Sequence, residues 1–294
     1  MKGFGTDEQA LIRTLSRLDP IQVAVLRTTY QQRHGCNLES DIASETSGYF
    51  KEGLLAIVRG PLAQDVHNLH KALAGLGTKE NVLNDVLLAR SNADMHAIKT
   101  AYAAHHGRPL ERDVRDDLSL KTARLFAMVL AATRQEDSAP VLPQQVDADV
   151  MELHRATEAT KLGADAIAVC AIVSSRSDGQ LRAVALAYEA KYRIPLEKVV
   201  QKEFSGHMLD ALLLMLRAGT DRAMRDARAL EETMKGMGTK DDLLVNRVVR
   251  AHWDRAHLEQ VKGAYRHKYK RELRERIKGD TRGDYERLLL AMIE

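Results

Sequence analysis

Met1-Lys2-Gly3-Phe4-Gly5-Thr6 returns along the chain as Leu73-Ala74-Gly75-Leu76-Gly77-Thr78 and as Met234-Lys235-Gly236-Met237-Gly238-Thr239. A degenerate copy, Ala159-Thr160-Lys161-Leu162-Gly163-Ala164, lies between the last two. An acid follows each copy at a nearly fixed distance: Gly5 to Glu45, Gly77 to Asp117 and Gly163 to Glu203 each span 40 positions, and Gly238 to Asp280 spans 42. Tyr30, Tyr102 and Tyr188 sit 25 positions past the second glycine of their copy, and Tyr265 sits 27 past. The common shift of two places extra residues between Gly238 and Tyr265, near Arg250-Ala251-His252-Trp253. Arg17, Arg90, Arg176 and Arg250 mark the end of the first helix in each unit and read as inter-helix ion-pair partners. Self-similarity at a fixed long period is the signature of a repeat architecture.

Each period reads as helices. After Thr6, Ala10, Leu11, Thr14, Leu15 and Leu18 follow the rhythm of one buried helical face. Asp19-Pro20 stops that helix and opens a second, which runs to about Arg33 and ends at His34-Gly35. A short helix over Leu38 to Ser44 follows, and a fourth starts near Ser47-Gly48 with Leu54, Leu55 and Val58 on one face. Residues 62–73 form a helix ahead of the second glycine phrase, giving five helices per complete unit. The expected fold class is all-α, in four repeats. Their bounds are 1–60 (repeat I, lacking its opening helix), 61–133 (II), 148–219 (III) and 220–294 (IV), with a linker over 134–147. That linker holds Pro140 and Pro143 with little apolar periodicity, so the chain is expected to divide there into two paired halves.

Composition narrows the class. Hydrophobic residues make up 45% of the 294 residues but aromatics only 4%, a palette of Leu, Ala, Ile, Val and Met that suits packed helices. The formal net charge of +3 comes from interleaved acids and bases, which argues against a nucleic-acid partner. Cys36 and Cys170 lack metal-type spacing and read as buried thiols of a reducing compartment. Apolar runs fall far short of the roughly 20 residues a spanning helix needs, so any membrane contact is expected to be peripheral to a cytoplasmic protein.

The chemistry lies in the repeated phrase. Two glycines one residue apart let the main chain turn carbonyl oxygens toward one point. Thr6, Thr78 and Thr239 are expected to cap the following helix, with Gln9 or Asp242 completing a capping box. The carbonyls of Met1, Gly3 and Gly5, of Leu73, Gly75 and Gly77, and of Met234, Gly236 and Gly238 supply neutral oxygens. Glu45, Asp117 and Asp280 supply a carboxylate to each set from a distant loop. Six to eight hard oxygens, mixed carbonyl, carboxylate and water, describe a Ca2+ site, and one carboxylate per site implies weak affinity, about 10⁻⁴–10⁻³ M. An anionic partner would complete the coordination, and a phospholipid headgroup is the natural one. The residue between the glycines is Phe4, Leu76, Leu162 or Met237, apolar each time at the tip of a turn, where it can enter the headgroup boundary. Lys2 and Lys235 beside it favour acidic lipid. A competing reading packs these tips on their own helices as hydrophobic staples.

The phrase, the acid within Ser44-Glu45-Thr46-Ser47-Gly48 or Lys278-Gly279-Asp280-Thr281-Arg282-Gly283-Asp284-Tyr285, and the four-fold array together resemble the annexin family over essentially the whole chain. The lysines after Thr78 and Thr239 give it the look of a fungal or protist member. The resemblance implies a curved disc of four five-helix repeats and reversible, calcium-dependent binding to acidic phospholipid membranes. It also implies type II calcium ligation by the three residue sets above. Repeat III departs, with Lys161 in place of the first glycine and Ala164 in place of the threonine, so Gly163 and Glu203 imply a weaker site. Repeat II keeps Asp117 but has Leu118-Ser119-Leu120 where a glycine belongs.

No catalytic constellation is legible, and the expected class is a non-enzymatic binder. Two alternatives remain: a helical-repeat protein–protein scaffold independent of calcium, and a nucleotide-dependent enzyme using the turns as phosphate cradles, which lacks a P-loop or βαβ context. Protein partners and lateral assembly are left open.

Overall fold

The computed structural model describes residues 5–75, 77–157 and 164–294. Among them it forms seventeen helices and no strand. The first repeat holds α1 (Glu8–Leu15), α2 (Pro20–His34), α3 (Leu38–Glu45) and the start of α4 (Gly48–Leu73). Then come α5 (Glu80–Leu87), α6 (Asn92–His106), α7 (Leu110–Asp117) and α8 (Leu120–Leu130). The third set is α9 (Pro143–Thr157), α10 (Ala166–Ser175), α11 (Asp178–Tyr192), α12 (Leu196–Glu203) and α13 (Gly206–Met234). The last is α14 (Asp241–His252), α15 (Arg255–Tyr269), α16 (Leu273–Asp280) and α17 (Gly283–Met292).

Local sequence accounts for these boundaries. Asp19 caps α2 in a reciprocal box with Gln22, Pro20 takes the first turn, and Gly35 ends the helix at φ 67°. Gly60, at φ 75° and ψ 172°, breaks α4 just before Pro61, and Asp221 breaks α13 at φ −156° and ψ 89°. The two extra residues of the last repeat fall at the end of α14, which has 12 residues against 10 in α10 and 8 in α1 and α5. That added turn carries His252, buried with Nδ1 3.0 Å from the Met292 carbonyl.

The chain divides into two compact units, residues 1–64 with 223–294, and residues 65–222. The first gathers repeats I and IV around Ile12, Leu15, Val23, Ile42, Leu54, Leu244, Val248 and Tyr265. The second gathers repeats II and III around Leu69, Leu83, Ile98, Phe126, Val173, Val184 and Leu212. The expected division at the linker is therefore corrected: the linker lies inside the second unit. Its polar residues are joints. Asn92 exchanges hydrogen bonds with the Arg134 main chain at 2.8 and 3.1 Å. Arg134 donates to the Arg176 carbonyl at 2.9 Å and pairs with Asp137 at 3.0 Å and with Asp178, while Gln135 N–H reaches the Ser175 carbonyl at 2.8 Å. The stretch is also shorter than read, since α9 opens at Pro143 and buries Val146 and Val150.

Cys170 is buried, which pushes its thiol up to about 12, whereas Cys36 is exposed, contrary to expectation. Two of the four arginine anchors are seen in ion pairs, Arg90 with Asp65 and Arg176 with Asp149. Among the described residues no helix is long and apolar enough to cross a membrane.

Candidate functional site

The glycine phrases close in the same way in repeats II and IV. The N–H after the threonine returns to a carbonyl at the end of the preceding helix, Lys79 to Ala72 at 3.0 Å and Lys240 to Thr233 at 2.8 Å. Between these ends the glycines adopt the left-handed region, Gly75 at φ 111° and Gly77 at 82°, Gly236 at 102° and Gly238 at 84°. Gly5 matches them at φ 94°. Positive φ makes glycine the favoured residue here, and a Cβ at any of these five would meet no heavy atom within 4 Å, so the turns face open space.

The threonines do something other than cap. Asp7 caps α1 by accepting from Ala10 N–H, and Lys79 and Lys240, which precede α5 and α14, make no side-chain cap. Each threonine hydroxyl instead reaches the distant acid. Thr6 Oγ1 lies 2.9 Å from Glu45 Oε2 and 3.1 Å from the Glu45 carbonyl. Thr78 meets Asp117 Oδ2 and, at 3.3 Å, the Asp117 carbonyl. Thr239 lies 3.4 Å from Asp280 Oδ2 and 3.3 Å from its carbonyl. One donor shared by two acceptors from a loop 39 to 41 residues away draws the carboxylate to the turn in three repeats. α3, α7 and α16 each end at that acid, which fixes its place in all three.

The groups so gathered are hard oxygens, main-chain carbonyls with one carboxylate, the donor set that suits Ca2+. Among the described residues no cluster of three His, Cys, Asp or Glu offers a softer alternative. In repeat IV a single cation already spans part of the set: the Arg276 guanidinium donates to the Met234 carbonyl through Nη2 and to Asp280 Oδ1 through Nη1. Two of the named donors there stand within reach of one positive group. The donor set fits the ion.

Repeat III is built differently. The closing bond runs from Asp165 N–H to the Ala156 carbonyl at 2.7 Å, a span two residues longer than in repeats II and IV. Ala164 has no hydroxyl to hold Glu203, which lies 3.4 Å from Lys202. Met1, Lys2, Gly3, Phe4, Leu76, Leu162 and Gly163 fall outside the described residues.

Of the four apolar tips, Met237 is described, and at 107% exposure it packs on nothing, which removes the staple reading there. Lys235 beside it is exposed as well. Leu120 is 84% exposed at the start of α8, three residues from Asp117. It stands where Gly48 and Gly283 stand in repeats I and IV. In repeats I and II the recurring tyrosine anchors the helix that ends at the site acid. Tyr30 and Tyr102 each donate to a carboxylate at 2.7 Å, Asp41 and Asp113, and the bond to Asp41 pushes the Tyr30 phenol up to about 12.

The annexin family profile matches residues 1–57, 64–128, 148–215 and 225–292. Annexin C1 of Cryptococcus neoformans var. grubii is 42% identical over 297 residues, covering 100% of this chain and 63% of that protein. Annexin A7 of Homo sapiens is 36% identical over 294 residues, covering 100% of this chain and 59% of that protein. The chain thus spans about three-fifths of the length of these two relatives. A solved structure of an annexin A8 variant superposes with a TM-score of 0.93 at 30% identity, covering 100% of this chain and 91% of that one. The chain belongs to the annexin family. Annexins are generally non-enzymatic and bind acidic phospholipid membranes in a calcium-dependent way.

Proposed function

We propose that this chain docks reversibly on acidic phospholipid membranes through Ca2+ held at the turns of repeats I, II and IV. The observation that carries the reading is the threonine bond to a remote acid, made in the same way three times. Met1, Gly3, Gly5 and Glu45 would hold the first ion; Leu73, Gly75, Gly77 and Asp117 the second; Met234, Gly236, Gly238 and Asp280 the third. Ca2+ supplies the positive charge that lets a surface of carbonyls and carboxylates meet a phosphate. Repeat III contributes weakly, because its turn is longer and no hydroxyl draws Glu203 to it.

The chain's own residues set the conditions of docking. The glycines leave the turns open, so a headgroup can approach the main chain. The threonines keep each carboxylate beside its turn before any ion arrives, which lowers the ordering cost of binding. Met237 and Leu120, both exposed, would enter the headgroup–acyl boundary, with Phe4, Leu76 and Leu162 as the equivalent tips. Lys235 and Lys2 add attraction for acidic lipid. The repeat bounds given by the sequence belong to the same reading, as does residence in the cytoplasm until calcium rises.

Co-sedimentation with phosphatidylserine vesicles tests the proposal. The wild-type chain should pellet with calcium and remain in solution with chelator. The combination Glu45→Gln, Asp117→Asn and Asp280→Asn should abolish pelleting while helicity and melting stay unchanged. Undiminished pelleting of that variant would refute the site assignment.

A further inference from the structure

Resting on the reading above, we propose that Arg276 is a built-in competitor for the calcium site of repeat IV, an internal cation that must withdraw before the ion can bind. The position four residues before the site acid is Asp41 in repeat I, Asp113 in repeat II and Val199 in repeat III. In repeats I and II that carboxylate accepts a tyrosine hydroxyl. In repeat IV it is arginine, and the surrounding network is rebuilt: Tyr265 donates to Glu231, on α13, instead.

The guanidinium has three partners. Its Nε lies 3.3 Å from Glu231 Oε2, its Nη1 meets Asp280 Oδ1, and its Nη2 meets the Met234 carbonyl. The last two are oxygens that would ligate Ca2+. The planar fork of arginine allows one group to hold both at once. The side chains of Arg276 and Asp280 are 14% and 17% exposed, so the pair is screened less than a surface one. Among the described residues neither Glu45 nor Asp117 has an ion-pair partner, so among the three intact turns this competition is particular to repeat IV.

Withdrawal is made easy by Glu231. It already bonds Arg276 and also takes Arg271 at 3.1 Å, so the guanidinium can release Asp280 and keep a carboxylate partner. The Met234 carbonyl and the Asp280 carboxylate would then be free to hold Ca2+. The consequence is an ordered response in which repeats I and II fill at lower calcium and repeat IV fills last.

The test isolates repeat IV in a chain carrying Glu45→Gln, Asp117→Asn and Glu203→Gln, with Ca2+ alone as the probe, read by equilibrium dialysis. Adding Arg276→Met should tighten binding by about tenfold or more, equivalent to about 1.4 kcal/mol. Adding Arg276→Lys, which keeps a positive charge on a flexible stem that still reaches the site oxygens, should give a smaller gain than Met. Equal or weaker affinity in Arg276→Met, with its melting temperature unchanged, overturns the competitor role and marks Arg276 as a support of the site. Adding Asp280→Asn separates the two readings: if it leaves binding intact, the site assignment itself fails. If Asp280→Asn abolishes binding while Arg276→Met has no effect, only the competitor role falls.

Discussion

Thr6, Thr78 and Thr239 carry the most information per atom in this chain. A threonine after a Gly-x-Gly turn would ordinarily be assigned to helix capping, yet here the hydroxyl lies against the acid of another loop. The assignment missed because a threonine oxygen can accept from its own helix or donate across space, and only the fold decides which. Replacing Thr78 with Val should weaken calcium binding in repeat II by about two- to tenfold, the worth of one hydrogen bond of about 0.5–1.5 kcal/mol. Calcium titration of an otherwise wild-type chain, compared with Thr78→Ser, checks it. Retained affinity in the valine variant would show that Asp117 needs no tether. That Glu45, Asp117 and Asp280 lie beside their turns was legible from spacing, the acid standing 40 or 42 positions past the second glycine.

Helices were read well wherever caps and apolar periodicity agreed. α2 and α3 start and end within a residue or two of their expected limits, because Asp19-Pro20, Gly35 and Asn37 are strong local signals. The connection between repeats II and III was misread because its polar residues look like solvent-facing spacer. Arg134, Asn92 and Asp178 form bonds with partners 42 to 44 residues away, which no local pattern reveals. The anchor between α9 and the end of α10 gives a prediction at this scale. Asp149 accepts two bonds from Arg176 at 2.8 Å each, with 5% of the carboxylate side chain exposed. Asp149→Ala leaves a half-buried guanidinium unpaired and should cost about 3 kcal/mol, the lower end for breaking a buried pair. Urea unfolding followed by circular dichroism measures it; a loss under about 0.5 kcal/mol, the scale of a surface substitution, would show that the pair is dispensable.

For the molecule as a whole, one compact unit joins the first and last repeats and the other holds the two between them, so residues far apart in sequence share the first core. The periodicity shows how many repeats exist and is silent on which pairs of them pack. Buried histidines couple both units to pH. Burial holds His252 in one unit and His207 in the other below the ordinary value of 6.5, with Arg255 adding to the effect at His252 and Glu80 and Asp210 opposing it at His207. A folded value below the unfolded one means that the unfolded chain binds the proton first. The stability from each neutral histidine is therefore present above about 6.5 and lost as pH falls below it, at up to about 1.4 kcal/mol per pH unit. Melting temperature should drop between pH 7.5 and 5.5, and the drop should shrink in His252→Gln. A melting temperature flat across that range would contradict the assignment of both histidines as neutral.

The most direct measurement is a crystal structure of this protein at saturating calcium, with ion density sought at each glycine turn. The account predicts an ion at about 2.3–2.6 Å from the Leu73, Gly75 and Gly77 carbonyls and Asp117, with a matching ion at Gly5 and Glu45. At higher calcium a third should appear between Met234 and Asp280, with Arg276 turned toward Glu231. Turns that stay empty while their acids point elsewhere, or ions bound away from the turn carbonyls, would contradict it.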